Sequence, residues 1–389
     1  MSNGSDQSGV TPEHVRALVV GTGFSGLAAS IKLHERGIDH VVIERAHDVG
    51  GTWRDNIYPG CRCDVPSHLY SFSFAPNPQW SELFAPQPEI LSYLRDTAER
   101  FGVLPRVRFG VSLDEAEWDP DTSRWLVTTS SGALTCDFLV LGTGPLSVPA
   151  FPDIEGLHSF RGPVIHSAMW DPEIDLAGKR VAVIGTGASA IQIVPHAQRL
   201  ASRLDVFQRT PSWILPHPNR RMSRVERAAF RRFPILQKAL RFGIYAGAEG
   251  ASVGLTKWPK LTYAVRLIGR AYLRLQVKDP VKRAKLTPTY LPGCKRLLPS
   301  PDYYRAVDQP NVRLVTEGIE HIEPDAIVTV DGQRHEVDVI IPATGFRVVD
   351  NPMMDTLRGS DGVSLAKSWA EEGLRAYLGT TVPGMVERF

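Results

Sequence analysis

The sequence lacks most of the features that would exclude or assign a function quickly. It has only four cysteines in 389 residues, too few for a disulfide framework. Cys61 and Cys63 form C-x-C, not the C-x-x-C of a thioredoxin-type redox pair, so all four read as reduced, structural thiols. No apolar run approaches the ~20 residues that span a bilayer. The opening MSNGSDQSGVTP is small and polar with no apolar stretch. It reads as a disordered tail over residues 1–14, not a signal peptide, which makes the expected location cytoplasmic. The formal net charge is only +2, so no global field argues for nucleic acid. No metal site is assigned.

What remains is ordinary globular composition, 43% hydrophobic and 22% charged, long enough for two or three domains with substantial cores. HVRALVVGTGFSGLAASIKLHERG reads as buried strand, tight turn and helix, and DHVVIER as the next strand. CDFLVLGTGP is a later strand. The pattern restarts in GKRVAVIGTGASAIQIVPHAQRLASRLDVFQRTP. Two βαβ units predict an α/β fold of two Rossmann-like, doubly wound dinucleotide-binding domains. Residues 219–286 are Arg-rich and apolar at helical spacing, which predicts a mainly helical insertion. Its basic character has a membrane-surface reading. The preferred reading is a solvated face over a packed apolar stripe, because Lys and Arg stems cover apolar surface. HEVDVIIPATGF is a further buried strand that ends in a small-residue turn.

The first turn is Gly21-Thr-Gly23-Phe24-Ser25-Gly26. Its glycines serve the tight turn, the backbone approach to a pyrophosphate and the helix–strand packing, while the helix N-terminus attracts the phosphates. Glu44 ends the next strand, followed by Arg45, where an acid accepts ribose hydroxyls. The second turn is Gly185-Thr186-Gly187-Ala188-Ser189-Ala190, with Ala for the third glycine, as the fingerprint tolerates. Arg209 stands where the first unit has Glu44, and Thr210 adds a hydroxyl. An arginine pairs with a 2′-phosphate that an acid would repel. FAD at the first turn and NADP(H) at the second is the economical pairing.

Longer stretches carry a resemblance. FRGPVIHSAMWD satisfies F-x-G-x-x-x-H-[ST]-x-x-W-[PD] through Phe160, Gly162, His166, Ser167, Trp170 and Asp171. GGTWRDNIYPGCRCD, from Gly50 to Asp64, satisfies G-G-x-W-x-x-x-x-Y-P-G-x-x-x-D, and Ala343-Thr344-Gly345 and GCKRLLPSPDYY add to it. By these motifs the sequence resembles the class B flavin monooxygenases of Baeyer–Villiger type, with matches from about Arg16 to Gly384.

The resemblance implies that NADPH reduces FAD, that reduced flavin and O2 give a C4a-peroxyflavin, and that attack on a ketone yields an ester or lactone. It implies that Arg296 is the catalytic cation for the peroxyanion and the tetrahedral adduct, paired with Asp64. It also implies that Lys295 contacts the 2′-phosphate of NADP and that Gly51, Thr52 and Trp53 lie beside the flavin, with Tyr70 a further contact. Gln192 reads either as facing the nicotinamide or as a solvated helix residue. His166 reads as part of an interdomain joint with Phe160, Gly162, Trp170 and Asp171, not as a proton donor. The implied domains are FAD-binding (15–148 and 346–389), NADP-binding (149–218 and 287–345) and the helical insertion (219–286).

Chains of this type continue past the segment resembling AYLGTTVPG, so the resemblance implies that a last strand and a helix near the flavin ring are missing, with weakened FAD binding as the expectation. Two other readings stay open here, an N- or S-oxygenating flavin monooxygenase and an inactive NADP-binding fragment. Neither the ketone nor the oligomeric state is legible.

Overall fold

A computed structural model describes residues 12–385 except Pro259. Residues 1–11 of the expected tail lie outside the described residues; its last two do not behave as a tail, because the first strand already begins at Glu13. The chain divides into two compact units. Unit 1 holds residues up to Arg54, Leu94–Val148 and Arg347 onward; unit 2 holds Asp55–Tyr93 and Pro149–Phe346.

Unit 1 is built on β1 (Glu13–Val20), α1 (Phe24–Glu35) and β2 (His40–Glu44). The short helix α2 (Thr52–Asp55) and α3 (Gln87–Arg100) follow, the latter entering this unit at Leu94. Then come β3 (Val107–Phe109), β4 (Leu113–Asp119), β5 (Arg124–Thr129) and β6 (Gly132–Leu141). The sheet order is β4-β5-β6-β1-β2-β3, with the two-residue strand Leu357–Arg358 added beside β4. Strands β6, β1, β2 and β3 run parallel, with Val20 opposite both Ile43 and Leu141, and β4–β5–β6 is an antiparallel meander. The apolar run Ala17–Val20 is buried on both faces, as a central parallel strand requires. The adjoining core joins Val15, Leu18, Ile43, Trp125, Leu134 and Leu357.

Unit 2 repeats the theme. Its sheet contains β7 (Arg180–Ile184), which feeds α4 (Ala188–Leu200), and β8 (Arg203–Phe207). The two-residue strand β9 (Ile214–Leu215) follows, and then helices α5 (Arg224–Arg232), α6 (Pro234–Lys257), α7 (Lys260–Gln276) and α8 (Pro280–Lys285). Strand β10 (Leu298–Pro299), helix α9 (Tyr303–Val307) and strand β11 (Val312–Val315) lead to the antiparallel meander β12 (Ile319–Glu323), β13 (Ala326–Thr329) and β14 (Arg334–Glu336). Strand β15 (Val339–Pro342) completes a parallel sheet in the order β11-β8-β7-β15. The expected α/β architecture with a helical insertion is present.

The insertion differs from expectation in one respect. Helices α6 and α7 do pack one stripe inward, but their outward faces are not solvated polar surfaces. Ile235, Phe242, Trp258, Tyr263, Leu267, Ile268 and Leu275 are all exposed. Periodicity identifies an apolar stripe without showing that a second apolar face lies opposite it.

Candidate functional site

The first glycine turn is held by close backbone packing. Gly21 has φ +96°, and a Cβ there would lie 2.8 Å from the Gly142 carbonyl oxygen; a Cβ at Gly26 would overlap the Gly21 carbonyl oxygen. Gly23 is freer: its nearest neighbour would be the Gly51 Cα at 3.8 Å. It is the N-cap of α1, where no side chain caps the helix and no acid occupies the first turn. The positive end of a 12-residue helix therefore lies at this spot, with no cap bond from the N-cap side chain. The Gly50 amide donates to the Thr22 carbonyl at 3.0 Å, which brings the Gly50–Trp53 turn to the same place. Phe24 is half-buried, Ser25 exposed, Thr52 half-buried and Trp53 buried.

Glu44 is buried at the end of β2. Its carboxylate accepts from the Thr22 amide at 2.9 Å, the Thr22 hydroxyl at 2.7 Å and the Ala46 amide at 3.0 Å. Arg54 pairs with it at 3.1 Å. Four donors match the acceptor capacity of a carboxylate. A ribose hydroxyl reaches Glu44 only by exchanging with one of them. Arg54 also donates to the Asp48 carbonyl at 2.6 Å, so it keeps a partner if it yields. Arg45 is exposed and donates to the Ser147 carbonyl at 3.2 Å. Thr22 and Arg54 were missed in the sequence. Both sit inside quoted motifs, and only the fold shows that they converge on Glu44.

In unit 2, Gly185 has φ +123° and a Cβ there would meet the Ala343 carbonyl oxygen at 2.5 Å, whereas a Cβ at Gly187 would meet nothing. Gly187 is the N-cap of α4, again without a side-chain cap or a first-turn acid. Ala188 is exposed, Ser189 half-buried and Ala190 fully buried, consistent with a small third residue for helix–strand packing. The Thr186 hydroxyl donates to the Thr210 carbonyl at 2.9 Å, and the Ser212 hydroxyl to the Thr186 carbonyl at 2.9 Å. The loop with exposed Arg209 and half-buried Thr210 is thereby tied to the glycine turn. Parallel pairing of Ile214 with Leu298 sets the chain before β10, with exposed Lys295 and Arg296, alongside the chain before β9. The Lys295 ammonium lies 5.3 Å from the centroid of the Tyr290 ring.

Asp64 and Arg296, 232 residues apart, form a direct ion pair in unit 2: Nη2 lies 2.7 Å from Oδ1 and 2.5 Å from Oδ2. Asp64 is 21% exposed and Arg296 66%, so the carboxylate is the fixed partner and the guanidinium projects outward. The segment that presents Asp64 is fastened to α4. Gln192 accepts from the Tyr58 hydroxyl at 3.0 Å and donates to the Arg62 carbonyl at 3.1 Å. Gly60, at φ +82°, leaves no room for a Cβ against His196 at 2.7 Å. Gln192 is thus a tether and not a solvated helix residue. Tyr70 lies in unit 2, half-buried, its amide bonded to the Pro66 carbonyl at 2.9 Å.

The stretch Phe160–Asp171 lies inside unit 2. Val164 bridges in parallel to Ile340, and the Ile165 amide donates to the Ile340 carbonyl at 2.9 Å. The stretch therefore extends the β15 edge of the sheet. Phe160 belongs to the core with Ala182, Ile184, Phe207 and Ile340, and a Cβ at Gly162 would clash with the Asp338 carbonyl. His166 is buried; its Nδ1 accepts from the Ala168 amide at 3.1 Å, and its ring lies between Phe151 and Phe346. Burial holds its pKa below the usual histidine value. Trp170 is half-buried, and exposed Asp171 caps the following turn through the Glu173 amide at 2.9 Å.

All four cysteines are free; Cys61, Cys63 and Cys136 are buried, while Cys294 is exposed, outside the packed structure expected to hold all four. Among the described residues no group of three or more His, Cys, Asp or Glu side chains is placed to hold a metal ion, and no helix is long and apolar enough to cross a membrane.

Two glycine-turn α/β units, the second carrying a carboxylate-held arginine, define a dinucleotide-dependent oxidoreductase, and comparison with known proteins gives the family. The flavin-binding monooxygenase-like family model matches residues 14–239. A Baeyer–Villiger monooxygenase of Streptomyces coelicolor is 49% identical over 374 residues, covering 96% of this chain and 72% of the relative. One from Pseudomonas aeruginosa is 45% identical over 378 residues, covering 97% and 72%. The structure of cyclohexanone monooxygenase from Rhodococcus sp. Phi1 bound to NADP+ superposes with a TM-score of 0.85 at 32% identity, covering 96% of this chain and 78% of that one. OTEMO in complex with FAD and NADP gives 0.85 at 33% identity, covering 95% and 78%. The chain belongs to the flavin-binding monooxygenase-like family, as a member of its Baeyer–Villiger type.

Proposed function

We propose that this protein uses NADPH, FAD and O2 to convert a ketone to an ester or lactone, with Arg296 as the cation on which oxygen insertion depends. The observation that carries this reading is the Asp64–Arg296 pair, built between segments 232 residues apart.

The residues present fit both cofactors. In unit 1, Gly23 and the uncapped N-terminus of α1 suit a pyrophosphate. FAD would be held by residues 21–26, Glu44, Arg45 and Gly51–Trp53. In unit 2, the open space at Gly187 and the uncapped N-terminus of α4 suit a second one. NADP(H) would be held by residues 185–190, with Arg209, Thr210 and Lys295 on the 2′-phosphate. When bound, FAD supplies the transfer of electrons from NADPH to O2.

The chain's part is positional and electrostatic. Arg296 is permanently charged and planar. With Nη2 on Asp64, its Nη1 and Nε remain for negative charge that develops on oxygen as the ketone is attacked. Asp64 fixes the direction of the fork. In solvent that field is screened; it acts fully where substrate and cofactor exclude water. His166 takes no proton-transfer role, since its imidazole is buried against Phe151 and bonded to the backbone of its own segment.

Arg296→Ala tests the assignment. It should leave flavin reduction by NADPH intact and lower ester formation by about a hundred- to a thousand-fold, the cost of one oxyanion donor. Ester formation at the parental rate would remove Arg296 from the chemistry.

A further inference from the structure

Helices α6 and α7 present apolar faces that nothing among the described residues covers. On α6, Gln237, Leu240, Arg241, Ile244 and Gly254 are turned inward, buried or half-buried. Ile235, Phe242 and Val253, at i, i+7 and i+18, fall on one line about two and five turns along, opposite that face. All three are exposed, Ile235 and Phe242 each at 69%. On α7, Gly269 and Leu273 are buried, while Tyr263, Leu267, Ile268 and Leu275 are exposed, Leu267 at 71%. Trp258, in the connection between the helices, is 61% exposed. Isolated exposed apolar residues need no explanation, but aligned ones on successive helices mark an interaction surface.

The charge on the same segment selects the partner. Lys238, Lys257, Lys260 and Arg274 are exposed, and Glu249 is the one acid between residues 234 and 276. A second copy of this chain docking face to face would set like charges against each other. A partner must be apolar at depth and anionic at its surface, with a boundary that suits Trp and Tyr. An anionic phospholipid interface has that chemistry, and basic helices with exposed aromatic and aliphatic faces lie in it without crossing it. We infer that the hairpin 234–276 docks this protein on anionic membrane surfaces.

Co-sedimentation of the full chain with lipid vesicles tests this. Vesicles of phosphatidylcholine mixed with phosphatidylglycerol should bind the protein, and pure phosphatidylcholine should bind it at least about tenfold more weakly. Leu267→Glu should weaken binding to the mixed vesicles by about tenfold or more. Lys257→Glu combined with Lys260→Glu, both exposed and hence compatible with folding, should do the same and make the remaining binding less sensitive to salt. Four results would overturn the inference: no binding to anionic vesicles, equal binding to neutral ones, unchanged binding by both variants, or a dimer that Leu267→Glu dissociates and that ignores vesicles.

Discussion

Arg296 and Asp64 show what one pair of side chains contributes to this molecule. An isolated, mostly exposed arginine has many orientations and a screened charge; a partly buried carboxylate at 2.7 Å removes much of that freedom. Asp64→Asn keeps the shape but loses the ionic anchor. It should lower kcat for ester formation more than it raises KM for the ketone, because Asp64 positions a group that acts on developing charge; a pure KM effect in steady-state kinetics would contradict this. Arg209→Ala, at an exposed position, should raise KM for NADPH by about tenfold or more and leave that for NADH nearly unchanged, since a charge-assisted hydrogen bond contributes about 1.5–3 kcal/mol. Equal effects on the two would take Arg209 off the 2′-phosphate. The glycine turns and Arg209 were legible in the sequence because backbone approach and a 2′-phosphate require those residue types, whereas Asp64 and Arg296 were reached only through the family resemblance. The saturation of Glu44 was not, because Thr22 and Arg54 meet it only in three dimensions.

At the scale of elements, the central strands were legible for a physical reason: β2, β7, β15 and the second half of β1 are buried and marked by continuous apolar runs, while β8 is buried with Asp205 interrupting its apolar residues. The stretch Phe160–Asp171 was not legible as part of a sheet, because its motif has no clear period, yet its amide and carbonyl groups pair with Ile340 at the sheet edge. The outward faces of α6 and α7 misled for the opposite reason, since period 3.6 identifies which residues share a face but not which face is packed. Two predictions belong here. Gly60→Val should cost well over about 1 kcal/mol in chemical denaturation, since it combines a left-handed backbone with a clash on α4; an unchanged midpoint would mean the 55–64 segment is not anchored there. Mild alkylation of the native protein should modify one cysteine, Cys294, and NADP+ should slow it, because Cys294 precedes Lys295 and Arg296. Burial pushes the Cys61 thiol up to about 11 and those of Cys63 and Cys136 up to about 12, so these three stay protonated and unreactive.

For the whole molecule, burial sets the response to acid. His40, His68, His166, His196, His217 and His335 are all held below their ordinary value of 6.5, with burial the leading cause. The unfolded chain takes up protons near that value while the folded chain does not. Stability should therefore be full above about pH 6.5 and fall as pH drops from there through the depressed folded values. Carboxylates held low by arginine, such as Glu13 and Asp338, lose their contribution only below about pH 4. A melting temperature that declines between about pH 7 and 5 checks this; one that rises over that range would contradict it.

The central claim is oxygen insertion beside a ketone carbonyl. Turnover of the FAD-loaded protein with NADPH, a cyclic ketone and ¹⁸O2, followed by mass spectrometry of the product, tests it most directly. The account predicts a lactone carrying one ¹⁸O atom in the parent and its near-complete loss in Arg296→Ala with NADPH oxidation retained. Oxidation of NADPH by the parent without labelled lactone from any ketone of a varied panel would contradict it.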